Sequence, residues 1–248
     1  MENEVTERNK PDYAKTVNQE IFDEHAEHYS ETINQSLSTY GASHDFFTRH
    51  KARLIRQLLT ERGLDPGKMS LLDVGCGIGA IHAFLSEDFA NIIGVDVSAD
   101  SIAQAKHDFP GNEYITYDGY YLPAEDASMD MTLAICVFHH VPPKQWRNLA
   151  REMLRVLRPG GLALVIEHNP WNPVTQRIVN RCPIDRDAVL LSRPKTCSLF
   201  RDAGALDVIG RSILSIPPRT DFLMKVDARF GLLPFGAQYY CLAHRNAT

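Results

Sequence analysis

Short apolar runs alternate with helix-like segments along most of this 248-residue chain, and this alternation limits the fold more than any other feature. Strands that alternate with helices form a parallel sheet with helices on both faces. The pattern therefore predicts an α/β fold. The strand candidates lie at residues 70–75, 91–97, 113–117, 130–137, 162–167, 206–215 and 238–244.

The segments between these runs show helical spacing. Trp146, Leu149 and Met153 share one apolar stripe, which predicts a connecting helix that ends at the sequence Pro159-Gly160-Gly161. Apolar residues at helical spacing also predict a helix from residue 18 to about residue 37.

Charge and hydropathy exclude several classes of partner. The chain has 26 Lys and Arg against 31 Asp and Glu, a net charge of −5, and no basic stripe typical of nucleic-acid binding. Its densest basic run, RHKAR at 49–53, is interpreted as the solvated face of a helix. No run is long and apolar enough to cross a bilayer, and the charged N-terminus does not look like a signal peptide. We therefore expect a cytoplasmic protein without nucleic-acid partners or stable membrane insertion.

The cysteines give no sign of a metal site or of a disulfide framework. An odd number at irregular spacing, with no CxxC pair, predicts reduced thiols in a cytoplasmic protein. The five cysteines are residues 76, 136, 182, 197 and 241.

The first strand candidate ends in DVGCGIG, which places Gly75, Gly77 and Gly79 at the carboxyl end of a core strand. Ligands of an open α/β sheet bind at this end of the strands, and glycines let the backbone lie against them. A tight turn alone would need only one or two glycines. The loop is therefore interpreted as part of a site for a nucleotide-like ligand.

Asp96 ends the second strand candidate about 20 residues after the glycines, a spacing at which a carboxylate accepts hydrogen bonds from ribose hydroxyls. The alternative is an ordinary acid at a helix N-terminus. These features do not separate a nicotinamide cofactor from S-adenosylmethionine. Asp73 favours S-adenosylmethionine, because proteins that bind dinucleotides usually have an apolar residue at this position. Asp118, just after the third strand, is placed to accept a hydrogen bond from an adenine amino group.

Five stretches, taken together, resemble the class I S-adenosylmethionine-dependent methyltransferases. They are LLDVGCGIG, GVDVS, YDGYYLP, MDMTLAICVFHHVP and LRVLRPGG. The resemblance is strong over about residues 45–170 and covers only the general layout elsewhere. It implies a seven-stranded, Rossmann-like sheet that is mostly parallel, with an antiparallel last strand and helices on both faces. One motif departs from the family, which often has Gly-Asp-Ala where this chain has Tyr117-Asp118-Gly119.

The resemblance also implies roles for individual residues around S-adenosyl-L-methionine. The glycines would pass under the methionine portion, the first acid would hold its ammonium group, and the second would bind the ribose. The third motif would contact adenine, and the end of the fourth strand would line the sulfonium side. The implied cofactor residues are Tyr29, Asp73, Gly75, Cys76, Gly77, Asp96, Val97, Asp118, Gly119, Cys136 and Val137.

His139 and His140 follow the fourth strand and are the candidate general bases, because histidine titrates near neutral pH. His140 is favoured because it lies further toward the expected mouth of the site. The alternative is a two-histidine turn that only shapes the site. A second polar cluster is expected at residues 167–169, and an aromatic acceptor pocket is expected from Tyr120, Tyr121, Phe138 and Trp171.

The sequence thus predicts one methyltransferase domain over 45–248, after a polar segment and lid helix at 1–44. An irregular, apolar, lid-like insertion is expected at about 216–236. The predicted reaction is methylation of oxygen or nitrogen on a small-molecule acceptor. The alternatives are carbon methylation of a quinone-like metabolite and a non-catalytic module that binds the cofactor. A nicotinamide-dependent oxidoreductase leaves Asp73 unexplained.

Overall fold

A seven-stranded sheet forms the centre of the computed structural model, which describes residues 29–37, 43–216 and 221–246. The strands are β1 (Ser70–Val74), β2 (Asn91–Asp96), β3 (Glu113–Thr116), β4 (Met129–Ile135), β5 (Leu157–His168), β6 (Leu206–Ile213) and β7 (Gln238–His244). Their order is β3-β2-β1-β4-β5-β7-β6, and β7 is antiparallel to both neighbours while the other neighbouring pairs are parallel. This topology confirms the predicted fold class.

Helices connect the strands and cover the sheet. Within the described residues they are α1 (Tyr29–Leu37), α2 (His44–Thr60), α3 (His82–Leu85), α4 (Ala99–Asp108), α5 (Trp146–Arg155), α6 (Pro173–Val179), α7 (Arg193–Asp202) and α8 (Asp221–Arg229).

The composition of β1 explains why helices are needed on both faces. Successive strand residues point to opposite faces, so Leu71 enters one apolar cluster, while Leu72 enters another. Leu58 of α2 packs in the first cluster, and Met153 of α5 and Phe200 of α7 pack in the second. Because both faces are covered, the carboxyl edge of the parallel strands is left as the place where a ligand can reach the sheet.

The predicted end of α5 is wrong. Pro159-Gly160-Gly161 lies inside β5, not at the helix end, and the pairing with β4 shifts there, from Met129 opposite Leu157 to Met131 opposite Leu162. A Cβ on Gly161 would lie 2.9 Å from the carbonyl oxygen of Arg158. The glycine is needed because the strand bulges at this point.

The link between β6 and β7 was predicted to be irregular, but it contains the helix α8. The buried carboxylate of Asp227 accepts hydrogen bonds from the backbone N–H groups of Leu214, Ser215 and Ile216 at 2.7–2.9 Å. These bonds tie the helix to the end of β6. The contact joins distant parts of the chain, so local hydrophobic spacing does not reveal it.

Parts of the predicted N-terminal segment lie outside the described residues. The described helix begins at Tyr29, whose side chain is not described, and residues 1–28 lie outside the described residues. The division at residue 44 and the lid roles remain predictions. Among the described helices, none has the length and apolar character needed to span a membrane.

Candidate functional site

One large cavity opens along the carboxyl ends of the parallel strands. It is lined by the residues that follow β1 to β5, and on its outer side by α1, α2, α6 and the loop before β7. The predicted cofactor residues with described side chains all line this cavity. The structure therefore brings together motifs that are far apart in the sequence.

The glycine loop after β1 needs its glycines for conformation and for space. Gly75, Gly77 and Gly79 have φ values of +69°, +53° and +73°, which residues with a Cβ rarely adopt. A Cβ on Gly75 would lie 2.6 Å from the side chain of Val137. The loop is also held to β2, because the N–H groups of Gly75 and Cys76 both donate to the carbonyl of Val95.

Asp96 ties this loop to the next helix. One carboxylate oxygen accepts from the N–H of Gly77 at 2.8 Å, and the other accepts from the N–H of Ser98 at 2.9 Å. Burial raises the pKa of Asp96, while these backbone donors oppose the shift. A carboxylate oxygen can accept more than one hydrogen bond. Asp96 can therefore support the loop and still accept from two ribose hydroxyls.

Asp73 has a partner that the sequence analysis did not predict. Its carboxylate lies 3.0 Å from Nε2 of His82, and Nδ1 of the same imidazole lies 2.7 Å from the hydroxyl of Tyr114. All three side chains are buried. This chain of contacts fixes the orientation of Asp73 at the wall of the cavity.

The segment after β3 forms a tight turn at one end of the cavity. One carboxylate oxygen of Asp118 accepts from the N–H groups of Tyr120 and Tyr121 at 2.9 and 3.1 Å. Gly119 has a φ of +75°, and a Cβ there would lie 3.1 Å from the side chain of Val97. The small residue at 119 thus keeps this end of the cavity open.

Lys51 is a site residue that the sequence analysis missed. It belongs to the RHKAR run, which was predicted to be solvated, yet Lys51 is only 8% exposed and His50 is also buried. Its ammonium lies 3.8 Å from Sγ of Cys136, at the end of β4. The prediction holds for Arg49 and Arg53, which are exposed, and was wrong for His50 and Lys51, which lie on the inner face of α2. The position of Lys51 among the apolar residues of an amphipathic helix was the sequence signal that could have indicated its burial.

Cys136 occupies an unusual position at the centre of the cavity wall. Its backbone has a φ of +58°, which is rare for a residue other than glycine. Burial raises the pKa of the Cys136 thiol, but the positive charges of Lys51 and His168 outweigh burial and lower it to about 7. The amide of Gln238 also points at this sulfur, at 3.6 Å.

A buried network fixes the two histidines after β4. Glu167, at the end of β5, accepts from the N–H groups of Val137 and Phe138 at 2.9 and 2.7 Å, and from Nδ1 of His139 at 2.5 Å. Nε2 of His139 therefore faces the cavity. Asp185 lies 3.5 Å from this atom and 3.4 Å from Nε2 of His140.

The surroundings of the two histidines shift their pKa values in opposite directions. Burial lowers the pKa of His139, but Glu167 and Asp185 outweigh burial and hold it well above the usual value. Burial and the neighbouring positive charge of His139 lower the pKa of His140 below 6.5. The surroundings thus favour the protonated form of His139, which is paired with carboxylates, and the neutral form of His140.

The same three side chains have the atoms that a metal ion would need. Ligand atoms of His139, His140 and Asp185 lie within 4.8 Å of one another. A cation could bind there only after His139 lost its proton, because metals coordinate the neutral imidazole. The raised pKa of His139 favours the ion pair instead.

The predicted aromatic pocket and second polar cluster are only partly correct. Tyr120 lines the cavity, but Phe138 is buried against Phe200, and Tyr121 and Trp171 point to solvent. In the cluster, His168 lines the cavity, while Glu167 orients His139. Asn169 instead donates to the carbonyls of Pro234 and Gly236, which anchors the loop before β7.

Comparison with known proteins identifies the domain that carries this site. Residues 72–165 match the family model described as a methyltransferase domain. This region holds the glycine loop, Asp96, Asp118 and the histidine pair.

Within residues 72–165, the chain carries a methyltransferase domain.

Curated relatives are similar to parts of the chain. The 2-methyl-6-phytyl-1,4-hydroquinone methyltransferase of Synechocystis is 30% identical over 139 residues, which cover 54% of this chain and 42% of that protein. The demethylmenaquinone methyltransferase of Beutenbergia cavernae is 32% identical over 137 residues, which cover 54% of this chain and 56% of that protein. The chain thus spans about half the length of these relatives.

A solved structure supports the fold over almost the whole chain. An S-adenosylmethionine-dependent methyltransferase from Thermotoga maritima aligns with 92% of this chain and all of its own, with a TM-score of 0.63 and 16% identity. The methyltransferase domain is therefore extended at both ends by elements that keep the fold of this structural class.

Removing the charge at Glu167 should destabilise the methyltransferase domain. Glu167→Gln leaves the His139 cation with a weaker buried partner, and breaking one side of a buried ion pair costs about 3–5 kcal/mol. Urea denaturation should show this loss of unfolding free energy. Glu125→Gln, at an exposed position, is the matched control and should change stability little. Equal stability of the two variants would show that the network does not support the fold.

Proposed function

We propose that the protein transfers a methyl group from S-adenosylmethionine to a small, largely apolar acceptor. The observation that carries the proposal is the continuity of the cavity. It runs from Asp118 beside β3, past Asp96 and Gly75, to His140 and His168. The part near β3 suits a nucleoside, and the part near β5 holds the groups that can act on an acceptor.

The order of the strands supports one proposed direction for the cofactor. Adenine would lie at Asp118 and Gly119, the ribose hydroxyls at Asp96, and the methionine portion over Gly75 and Gly77. The sequence β3-β2-β1-β4 follows the same order across the sheet. When bound, S-adenosylmethionine supplies an electrophilic methyl group on a sulfonium, which this arrangement directs toward Cys136 and the acceptor.

Lys51 is positioned to bind the carboxylate of the methionine portion. Its ammonium is buried and contacts only the sulfur of Cys136 within the described residues. Asp73, fixed by His82, supplies the complementary negative charge for the ammonium group of the cofactor. An amino acid between a lysine and an aspartate would pair both of its charges.

The wall around the acceptor end is mainly apolar. It includes Phe47, Ile178, Ile184 and Leu214, together with Ile33 of α1. The names of the two quinone-pathway relatives agree with a lipophilic acceptor. They also favour the alternative in which the acceptor atom is a ring carbon activated by a neighbouring hydroxyl.

His140 is the proposed general base. Its neutral imidazole takes the proton of the acceptor hydroxyl or of a protonated amine while the acceptor atom forms its bond to the methyl carbon. The bond between sulfur and that carbon breaks with both electrons moving to sulfur, which leaves S-adenosylhomocysteine. The imidazolium formed at His140 is then stabilised by Asp185, 3.4 Å away. A module that only binds the cofactor would not need this pair.

The proposed role of Lys51 predicts a selective loss of cofactor affinity. Lys51→Met should weaken S-adenosylhomocysteine binding by about one to two orders of magnitude, as expected for a lost hydrogen bond to a charged group. Binding of 5′-methylthioadenosine, which lacks the amino-acid portion, should not change. Calorimetry with both ligands tests this, with Lys106→Met at an exposed site as the control. Equal loss for both ligands would contradict the assignment.

Asp96→Ala should reduce the affinity for both of those ligands. The variant loses the bonds to ribose, each worth about 1.5–3 kcal/mol, and also frees the N–H groups of Gly77 and Ser98. NAD should not bind to the wild-type protein. If the folded variant binds S-adenosylhomocysteine as tightly as the wild type, Asp96 does not contact the ribose.

His140→Ala should lower turnover by about 10²–10⁴-fold while cofactor affinity is retained. Because the pKa of His140 lies below 6.5, wild-type turnover should be constant at neutral pH and should fall as the pH drops through that pKa. The variant should lose this acid limb. His107→Ala, at an exposed site, is the control. Normal turnover and an unchanged pH profile in His140→Ala would leave positioning alone as the source of catalysis.

A further inference from the structure

An apolar surface lies on the outer side of the elements that close the acceptor end of the cavity. We propose that this surface docks onto an anionic lipid bilayer. We define the docking face by six side chains: Trp171, Val174, Phe222, Leu232, Leu233 and Phe235. Phe222, Leu232 and Phe235 are 73%, 68% and 66% exposed, and Trp171 is 54% exposed. Large apolar side chains this exposed and this concentrated mark an interaction site.

Hydrogen bonds hold the parts of the docking face together. The side chain of Asn172 donates to the carbonyl of Phe235 at 2.8 Å, and Thr175 donates to the carbonyl of Ala237 at 2.8 Å. Arg193 donates to the carbonyls of Gly231 and Leu232 at 2.7 and 3.0 Å. The start of α6 and the loop after α8 therefore form one surface with a fixed arrangement.

Charge on the same elements identifies a bilayer as the occupant. Arg177 follows Val174 one turn later on α6, and Arg181 lies just after the end of that helix. Lys225 and Arg229 follow Phe222 at helical spacing on α8. All four are exposed, and within the described part of the chain none of them is in an ion pair. The whole chain carries a net charge of −5, so a basic rim here is a local feature. Exposed aromatic and apolar groups flanked by Lys and Arg suit the surface of an anionic membrane.

The docking face also leads to the cavity. Thr175 and Ile178 of α6, and Ala237 after the loop, line the acceptor end from within. Their neighbours Val174 and Phe235 face solvent on the other side. A lipophilic acceptor could pass from the bilayer into the cavity along this seam. This role in acceptor supply depends on the proposed function, whereas docking itself does not.

Vesicle binding tests the docking face with the full chain. We expect the protein to float with vesicles of phosphatidylcholine mixed with phosphatidylglycerol, and much less with phosphatidylcholine alone, with binding that weakens as salt is raised. Leu232→Glu should reduce partitioning by about tenfold or more, since it removes an exposed apolar side chain that the bilayer would bury and adds a negative charge. Leu206→Glu is the matched control, because Leu206 is also half exposed but lies at the opposite end of the sheet.

A second variant tests the basic rim separately. Arg177→Gln combined with Arg181→Gln should lower partitioning by about fivefold for each charge, equivalent to about 1 kcal/mol per residue. Absence of vesicle binding, or equal binding by Leu232→Glu and Leu206→Glu, would overturn the proposal. A wild-type dimer that Leu232→Glu dissociates, without vesicle binding, would show that a second copy covers the face instead. Calorimetry with S-adenosylhomocysteine on the same samples separates this result from failure of the proposed function.

Discussion

The buried carboxylate of Glu167 is the interaction on which the acceptor end of the site depends. It accepts hydrogen bonds from the N–H groups of Val137 and Phe138, and these bonds fix the turn after β4. It also orients the ring of His139. A single charged group thus sets the backbone beside the methyl-transfer position and the charge state of one histidine. Burial and the positive charge of His139 lower the pKa of His140, and this gives two adjacent histidines different chemical properties.

Charge is divided along the cavity in a way that suits the cofactor. Asp73 and Asp96 stand at the ends of β1 and β2, where an ammonium group and ribose hydroxyls need acceptors. Lys51 stands opposite the end of β4, where a carboxylate needs a cation. Methyl transfer from a sulfonium removes positive charge, so the protein contributes mainly by orientation, which is worth about 7–11 kcal/mol in favourable cases. The rigid contacts of Asp73 and Asp96 supply that orientation.

The sequence predicts the residues of the glycine loop and β2 better than those on the other side of the cavity. The reason is that the former are close together in sequence, whereas the latter meet only across long sequence separations. Gly75, Gly77 and Asp96 act within one strand–loop–helix unit, so their spacing carries the information. Lys51 reaches Cys136 from 85 residues away, and a charged run on a helix has no local sign that it faces a cavity. Asp185 joins the histidine pair from a loop that has no motif. The resemblance to methyltransferases could place the sheet, but not these side chains.

The same difference in sequence separation limits which residues of the cavity can be interpreted from similarity to the relatives. The family match covers residues 72–165, which hold the glycine loop, Asp118 and the histidine pair. Other side chains that line the cavity come from outside it: Lys51 before the match, and Ile178, Asp185 and Gln238 after it. Similarity in the matched region therefore bears on the proposed cofactor site and the proposed chemistry. In the proposed function, the acceptor would be selected by side chains outside the match, on α6 and in the loops after β5. The start of α6 and the loop before β7 also carry part of the docking face, so the two proposals involve the same part of the chain.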